Sequence, residues 1–308
     1  MPLFSVIIPL YNKENFIEAT LKSALNQTFT DFEIIIINDG STDNSAEKVL
    51  QFTDDRIRLF NTENQGVSQA RNFGIKKASG EMIAFLDADD FWYSTFLVNI
   101  ASLIAKFPDE KVFSSAIEVE TRNKIFKATY SIPKRQEILK INFFDGSHDQ
   151  GAIFTSSAVF EKSVFEKVGN FDASLKTDED TDLWIRIGLH YPIIFSWKIG
   201  AKYNYDKKGL SKSKIDFSQK TDFKNYLELE KTNEELRKFL SIHRFSMALK
   251  SKIAGQKEAF QRFYSMVNRN DLDAKQRFLI QLPSSLLRMI LNAKLTLEHL
   301  SIRLSAFK

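Results

Sequence analysis

The sequence predicts an α/β fold for most of the chain and helices for its last hundred residues. Residues 1 to about 90 alternate short apolar runs, typical of buried strands, with helical patterns. That alternation is the pattern of parallel strands joined by crossover helices. Longer extended segments follow from about residue 111, and from residue 216 the pattern is helical throughout. We therefore expect a sheet flanked by helices over residues 1–215 and a helical extension over residues 216–308.

Apolar runs define the strands of the first half. They lie at residues 4–8, 34–37, 57–60 and 82–86. A helical pattern separates the first two runs, and Asn12 is placed to cap that helix. In open α/β sheets, ligands bind beyond the carboxyl ends of the strands. The polar loops at residues 9–12, 38–43 and 87–90 should therefore meet at one edge of the sheet.

The composition restricts the chemistry that a site can use. The chain has 308 residues, of which 43% are hydrophobic, enough to bury a large core. It contains no Cys, which excludes disulfides, thiolate metal sites and Cys nucleophiles. Since there are only 4 His, any metal ion should be bound by carboxylates.

Charge and hydropathy indicate the partners and the location. The net charge of +4 is too small for a chain of this size to predict nucleic-acid binding. No apolar run approaches the roughly 20 residues that span a membrane, and the first residues have no basic leader. We expect a cytoplasmic protein, or one attached peripherally at the inner face of the cell membrane.

Three carboxylates follow the fourth predicted strand within four residues. They are Asp87, Asp89 and Asp90. Such a cluster repels itself unless a positive charge is present, and a divalent cation held by one or two carboxylates completes its coordination with water and phosphates. The chain lacks both the Gly-x-Gly-x-x-Gly turn and the P-loop, so the phosphates of a nucleotide would need a metal ion. A plain polar loop is the alternative.

A second acidic cluster begins a predicted helix in the second half. It comprises Asp178, Glu179, Asp180 and Asp182. Carboxylates favour the first turn of a helix, so simple capping is one interpretation. Because four acids exceed what a cap needs, a general base for an alcohol is the other interpretation.

Six short stretches together resemble glycosyltransferase family 2. They lie at residues 6–12, 27–28, 37–43, 66–72, 85–90 and 179–184. The match runs in order over about residues 3 to 213 and leaves out the last hundred residues. The resemblance implies a GT-A fold, which is a Rossmann-like mixed sheet flanked by helices, with nucleotide-binding and acceptor halves at about residues 1–110 and 111–215. It also implies transfer of a sugar with inversion at the anomeric carbon.

The resemblance implies roles for residues on the donor side. Pro9, Tyr11 and Asn12 would line the nucleotide pocket, with Tyr11 against the base. Asp39 would accept a hydrogen bond from uracil, which favours a uridine diphosphate sugar. Arg71 would lie near the base and the diphosphate.

The resemblance also implies the metal ligand and the general base. Asp87 would contact the ribose or the sugar, and Asp89 would bind Mn²⁺ or Mg²⁺ between the two phosphates. Asp180 would be the catalytic base, with Glu179 and Asp182 orienting it or touching the acceptor.

Further side chains are candidates for the acceptor cleft. Trp184 and Arg186 could face the acceptor, although a Trp at helical spacing with apolar neighbours is more often part of the core. Thr155, Ser156 and Ser157 could line the cleft. His148 and Asp149 lie in a polar segment at its expected mouth, where His148 is interpreted as a solvated loop residue.

One stretch departs from the pattern of the family. Many members have Tyr-Arg-x-His after the last core strand, where this chain has Tyr203, Asn204, Tyr205 and Asp206. Asp206 could take over a metal or diphosphate contact, or the contact could be absent, with Lys207, Lys208 and Lys212 meeting the phosphates instead.

The predicted function is transfer of one sugar per encounter, since the Gln-x-x-Arg-Trp signature of processive synthases is absent. The acceptor would be a saccharide or a lipid-linked saccharide in cell-surface polysaccharide or lipopolysaccharide synthesis. Two alternatives stay open: a sugar nucleotidyltransferase, which would need a glycine-rich basic loop after the first strand, and a non-catalytic sugar-nucleotide binder, which would have a broken metal or base motif.

The C-terminal helices allow two interpretations. From residue 275 onward the sequence has six basic residues and a single Glu among many Leu and Ile. The helices would form either a cap packed on the catalytic core or a basic amphipathic surface on anionic lipid.

Overall fold

The chain divides into two compact units, Met1–Ser213 and Lys214–Lys308. The computed structural model describes residues 1–121, 124–132, 134–147, 151–204 and 216–299. The sequence-based predictions for His148, Asp149, Tyr205, Asp206, Lys207, Lys208 and Lys212 lie outside these described residues.

The described strands of the first unit form one mixed sheet. They are β1 Phe4–Leu10, β2 Phe32–Asp39, β3 Ile57–Thr62, β4 Met82–Phe85, β5 Phe91–Trp92, β6 Val112–Thr121, β7 Lys124–Lys127, β8 Ile138–Ile141, β9 Ala158–Glu161 and β10 Ile193–Asn204. Their order in the sheet is β3-β2-β1-β4-β9-β6-β10-β5, with β7 paired to β6 and β8 paired to β10. Strands β1 to β4 are parallel, as predicted. Strand β9 runs antiparallel between β4 and β6, which makes the sheet mixed.

Helices cover both faces of this sheet. They are α1 Ile17–Leu25, α2 Ser45–Leu50, α3 Val67–Lys77, α4 Phe96–Lys106, α5 Phe143–Gly146, α6 Ser163–Val168 and α7 Glu179–Gly188. Val6 and Ile8 of β1 point into a core shared with α1 and α4. Because side chains alternate along a strand, Ile7 points to the opposite face, where α3 lies.

Helix α3 approaches β1 very closely. A Cβ atom on Gly74 would lie 2.3 Å from Cγ2 of Ile7, so only glycine allows the helix to rest on the strand here. Arg71 lies one turn nearer the start of α3. This close contact therefore holds Arg71 beside the carboxyl ends of the strands.

The second unit is helical, as the sequence predicts. Its helices are α8 Leu227–Glu230, α9 Glu234–Ala254, α10 Lys257–Ser265, α11 Ala274–Gln281 and α12 Ser284–His299. Arg244 of α9 is fully buried and pairs with Glu230 at 2.7 Å, which fixes α8 against α9. None of the described helices is long and apolar enough to cross a membrane. The lipid-surface interpretation of these helices stays a prediction.

Candidate functional site

The loops that follow β1 and β2 meet at the carboxyl edge of the sheet, as predicted. The amide of Asn12 donates to Oγ of Ser41 at 3.1 Å, and the amide of Thr42 donates to Oδ1 of Asn12 at 2.8 Å. Asn12 has a φ of 51°, a left-handed conformation that Asn tolerates better than most residues. The prediction that Asn12 caps α1 is wrong, because the helix begins at Ile17 and Asn12 instead joins the two loops.

The other predicted nucleotide residues from these loops differ in their exposure. Pro9 is half-buried within β1, and Tyr11 is 43% exposed. Asp39 is buried and accepts hydrogen bonds from the amides of Gln65 at 2.8 Å and Gly66 at 2.9 Å. Asp39 therefore anchors the loop that leads into α3, and its role toward uracil stays a prediction.

Arg71 joins the two acidic clusters. Its side chain is only 6% exposed and donates to Asp87 at 2.8 Å and to Glu179 at 3.2 Å. The guanidinium lies 5.2 Å from the ring centre of Phe171. Burial would lower the pKa of Arg71, but the charges of Asp87 and Glu179 raise it above its usual value. The sequence assigned Arg71 to the nucleotide, whereas the structure has it buried between two carboxylates, where it links the strand loop to α7.

Asp89, the predicted metal ligand, forms an ion pair with Lys13. The two side chains are 19% and 26% exposed, so the pair lies at the edge of the site. Sequence reasoning did not identify Lys13. A signal was nevertheless present, because a self-repelling acidic cluster needs a cation and Lys13 lies in a loop expected at the same edge.

Asp90 is buried and supports the loop that carries Asp87 and Asp89. Its carboxylate accepts hydrogen bonds from Oγ of Ser156 at 2.6 Å and from the amide of Asn204, at the end of β10, at 3.1 Å. Burial, and then the charge of Asp87, raise the pKa of Asp90 well above its usual value. The prediction that Thr155–Ser157 lines the acceptor cleft is wrong, since all three residues are buried and Ser156 supports this loop.

The second acidic cluster lies at the start of α7. Burial, and then the charge of Asp180, raise the pKa of Glu179, although Arg71 opposes this shift. Asp180 is half-buried, and its Oδ1 accepts a hydrogen bond from the amide of Thr181 at 2.6 Å. The N-cap residue Asp178 makes no side-chain capping hydrogen bond, which counts against simple capping as the purpose of the cluster.

Asp182 and Trp184, both predicted near the acceptor, have structural partners that hold α7 in place, and the role of Asp182 beside the base stays a prediction. Asp182 is buried and accepts a hydrogen bond from Nε of Arg186 at 2.9 Å, and Arg186 also donates to the carbonyl of Val168 at 2.7 Å. Trp184 is 4% exposed and stacks on Phe160, with ring centres 5.1 Å apart. Trp184 is therefore part of the core, and its assignment to the acceptor is wrong because its ring is covered by β9.

The described side chains suit a divalent cation that takes most of its ligands from phosphate and water. Among the residues that the structure describes, no group of three or more His, Asp or Glu side chains could hold a metal ion. Asp89 is accessible and offers a hard oxygen ligand at the mouth of the site. That donor set fits Mg²⁺ or Mn²⁺ with phosphate and water in the remaining positions.

A groove of about 620 Å³ runs along α3 beside the site. Asp39 and Gln65 reach its wall, while Lys76, Lys162 and Glu166 line it further away. Asp87, Asp89 and Asp180 are not among its lining residues. Of the predicted site residues, the groove therefore includes Asp39 but not the carboxylates that follow β4 or begin α7.

Comparison with known proteins identifies the family of the chain. Residues 5–169, more than half of the chain, match glycosyl transferase family 2. An uncharacterised glycosyltransferase of Rickettsia felis is 32% identical over 217 residues, which is 68% of this chain but only 35% of that protein. The UDP-Glc:alpha-D-GlcNAc-diphosphoundecaprenol beta-1,3-glucosyltransferase WfgD of Escherichia coli is 44% identical over 105 residues, 34% of this chain and 42% of that protein.

Solved structures show the same fold. TarS of S. aureus, crystallised with UDP-GlcNAc, has a TM-score of 0.69 at 21% identity and covers 87% of this chain and 82% of its own. A mannosyltransferase from Pyrobaculum calidifontis, in complex with GDP-Man and Mn²⁺, has a TM-score of 0.55 at 18% identity and covers 99% of this chain and 77% of its own. At these identities the likeness shows the fold alone. By its match over more than half of its length, the chain belongs to glycosyl transferase family 2 and has the GT-A fold.

Proposed function

We propose that this protein transfers one sugar per encounter, with inversion, from a uridine diphosphate sugar to a hydroxyl group of a saccharide or lipid-linked saccharide. The observation that carries the proposal is the bridge made by Arg71, which donates to Asp87 after β4 and to Glu179 at the start of α7. One buried cation thus brings together the acids assigned to the donor and the acids assigned to the acceptor.

The start of α7 supports general-base catalysis. Inverting transfer is a single displacement at the anomeric carbon, so a base must take the proton of the acceptor hydroxyl as that oxygen attacks. Asp180 performs this step in the proposal. Thr181 holds one oxygen of Asp180 through a backbone hydrogen bond of 2.6 Å, which fixes the orientation of the carboxylate.

The edge after β4 supports binding of the donor diphosphate. Asp89 would hold Mn²⁺ or Mg²⁺, which would neutralise charge on the departing diphosphate. Asp87, held by Arg71 at 2.8 Å, would meet the ribose or the sugar. Asp90, anchored by Ser156 and Asn204, keeps the loop between them in position.

The choice of substrates rests on what the related proteins are named for or were crystallised with. The Escherichia coli relative is named for a UDP-Glc donor and a diphosphoundecaprenol-linked acceptor, and TarS was solved with UDP-GlcNAc. Both names support a uridine diphosphate donor, and the first supports a lipid-linked saccharide acceptor of the kind used in bacterial surface polysaccharide synthesis.

A nucleotide-binding panel combined with one substitution tests the proposal. Thermal shifts are measured with nucleoside diphosphates and nucleotide sugars, each with Mn²⁺ and with a chelator. We expect the largest shift with a uridine diphosphate compound in Mn²⁺, and Asp180→Asn should keep that shift while lowering turnover by about 10³-fold.

The matched control is Asp172→Asn, at an exposed acid in the segment just before α7. It should leave turnover unchanged. A protein that binds no nucleotide would favour the non-catalytic alternative. A preference for guanosine diphosphate compounds would contradict the role of Asp39, and full activity of Asp180→Asn would contradict the role of Asp180.

A further inference from the structure

The ion pair between Lys13 and Asp89 involves the carboxylate that would hold the proposed metal ion. The ammonium group of Lys13 contacts Oδ2 of Asp89, the carboxylate that would hold the metal. A carboxylate has two oxygens, so a metal ion at Oδ1 and the ammonium group at Oδ2 would share Asp89, but their positive charges would then lie a few ångströms apart and repel each other. Binding of a metal ion at Asp89 therefore weakens the contact with Lys13 and favours movement of the ammonium group to another anion.

The two cations of the acidic edge differ in their freedom to move. Arg71 is 6% exposed and is held by two carboxylates and an aromatic ring. Lys13 is 26% exposed, and its ammonium group is a point charge on a flexible four-carbon stem. Arg71 thus joins two segments of the fold by ion pairs, whereas Lys13 is a cation that can leave Asp89 for another anion.

The backbone of Lys13 is fixed, whereas its side chain contacts Asp89 and holds its ammonium group 5.8 Å from the ring centre of Phe16. Its amide donates to Oγ of Ser45 at 2.8 Å, and its carbonyl accepts from the amides of Phe16 at 2.9 Å and Ile17 at 3.0 Å. A side chain that leaves Asp89 must therefore stay at the carboxyl edge of the sheet. The anion expected there is the diphosphate of the donor.

We infer that Lys13 is an internal counter-ion that neutralises Asp89 in the free protein and moves to the donor diphosphate when a divalent cation takes its place. This inference rests on the proposed function and adds a diphosphate-binding residue to it. A consequence is that Lys13 opposes metal binding when no nucleotide is present and supports it when the diphosphate gives the ammonium a new partner. Metal and nucleotide should then bind cooperatively.

The test measures Mn²⁺ binding to the whole chain by electron paramagnetic resonance, without and with uridine diphosphate. Lys13→Met keeps an unbranched side chain that is one atom shorter and removes the charge. Without nucleotide, we expect Lys13→Met to bind Mn²⁺ about tenfold more tightly than the unmodified protein, because a like charge a few ångströms away has been removed. With Mn²⁺ present, it should bind uridine diphosphate about fivefold more weakly, since a phosphate contact has been lost.

Lys22→Met is the matched control, because Lys22 forms an exposed ion pair with Glu18 on α1. It should change neither affinity, and Asp89→Asn should abolish Mn²⁺ binding. If Lys13→Met binds Mn²⁺ or uridine diphosphate as the unmodified protein does, the inference is overturned while the proposed function stands. If the unmodified protein binds no Mn²⁺ even with uridine diphosphate, the metal dependence in the proposed function fails as well.

Discussion

Glu33 is buried near the amino end of β2, Glu179 is half-buried at the start of α7, and their pKa values move in opposite directions. Burial raises the pKa of both. At Glu33, hydrogen bonds outweigh burial and lower the pKa to about 2. At Glu179, the charge of the neighbouring Asp180 adds to burial and the pKa stays raised, despite the opposing effect of Arg71.

The amino end of the strands provides Glu33 with a complete set of donors. The carboxylate accepts from Oγ of Ser5 at 2.7 Å, from the amide and Oγ of Ser79 at 2.7 Å each, and from Arg58 at 2.9 Å. The ionised form is therefore favoured by the fold itself. This carboxylate stabilises the fold and needs no further partner.

The carboxyl end has more acids than cations among its described residues. The acids are Asp87, Asp89, Asp90, Glu179 and Asp180, and the cations that pair with them are Arg71 and Lys13. Excess charge of one sign costs stability, and perturbed pKa values cluster at functional sites. At the amino end, hydrogen-bond donors of the fold compensate the charge of the structural acid. At the carboxyl end, the acids outnumber the cations that pair with them, which is expected where a further cation binds.

The largest effect on this comparison should come from removing Arg71. Arg71→Met leaves Asp87 and Glu179 without their shared partner, so we expect a loss of about 3 kcal/mol in the free energy of unfolding. Turnover should fall by at least about 100-fold, because the donor loop and α7 are no longer linked. Urea denaturation and a sugar-transfer assay measure the two effects.

Arg58→Met is the matched control at the other end of the strands. Arg58 pairs with Glu33 but is 44% exposed, so the change should cost less than about 1 kcal/mol and leave turnover intact. Equal losses of activity in the two variants would mean that the ends of the sheet do not differ in function.

The second largest effect should be on stability alone. Glu33→Gln removes a carboxylate that accepts four hydrogen bonds, and we expect a loss of about 2 kcal/mol at pH 7 with unchanged turnover. The folded pKa is about 2 against an ordinary value of 4.5. The stabilisation by Glu33 is therefore complete above about pH 4.5 and is lost as the pH falls toward 2. Denaturation curves of both proteins should converge over that range, and a constant difference would contradict the assignment.

A smaller effect should follow from removing a contact that supports the loop with Asp87, Asp89 and Asp90. Ser156→Ala removes the hydroxyl that donates to Asp90 and accepts from the amide of Asp87. We expect about tenfold lower turnover and a loss of about 1 kcal/mol in stability. The control is Ser157→Ala, whose buried hydroxyl donates only to the carbonyl of Phe154 at 3.3 Å. A weaker effect of Ser156→Ala than of Ser157→Ala on turnover would contradict the role of this contact.

The smallest effect should come from Asp182, which tests how far the functional residues extend along α7. Asp182→Asn weakens the pair with Arg186, but Arg186 keeps its hydrogen bond to the carbonyl of Val168. We expect turnover to fall by no more than about threefold and stability by about 0.5 kcal/mol. A loss as large as that of Asp180→Asn would place Asp182 among the groups that act on the acceptor.

Much of the fold could be predicted from short stretches of sequence. Strands β1 to β3 contain the predicted apolar runs, and β4 covers the fourth run except for Leu86. The two acidic clusters were also recognised before the structure. Periodicity and turn residues act over a few neighbours along the chain, so they are readable without knowledge of the fold.

The errors concern residues whose meaning depends on distant partners. Trp184 had the spacing of a core residue and a position beside the acidic cluster, and only packing against Phe160 decided between them. Asn12 had the side chain of a helix cap, but its partners are Ser41 and Thr42 in another loop. In both cases one residue suited two environments, and although the spacing of Trp184 already favoured the core, only contacts with distant residues decided between the two.

The sequence by itself determined the parallel strands, the helices between them and the two groups of acids that follow the strands and begin α7. Only the tertiary structure decided how those acids are paired. Arg71 meets Asp87 and Glu179 across 16 and 108 residues, and Lys13 meets Asp89 across 76. The physical reason is that local patterns fix which backbone segments form and which faces are buried, while contacts between charges exist only after the sheet has brought distant loops to the same edge.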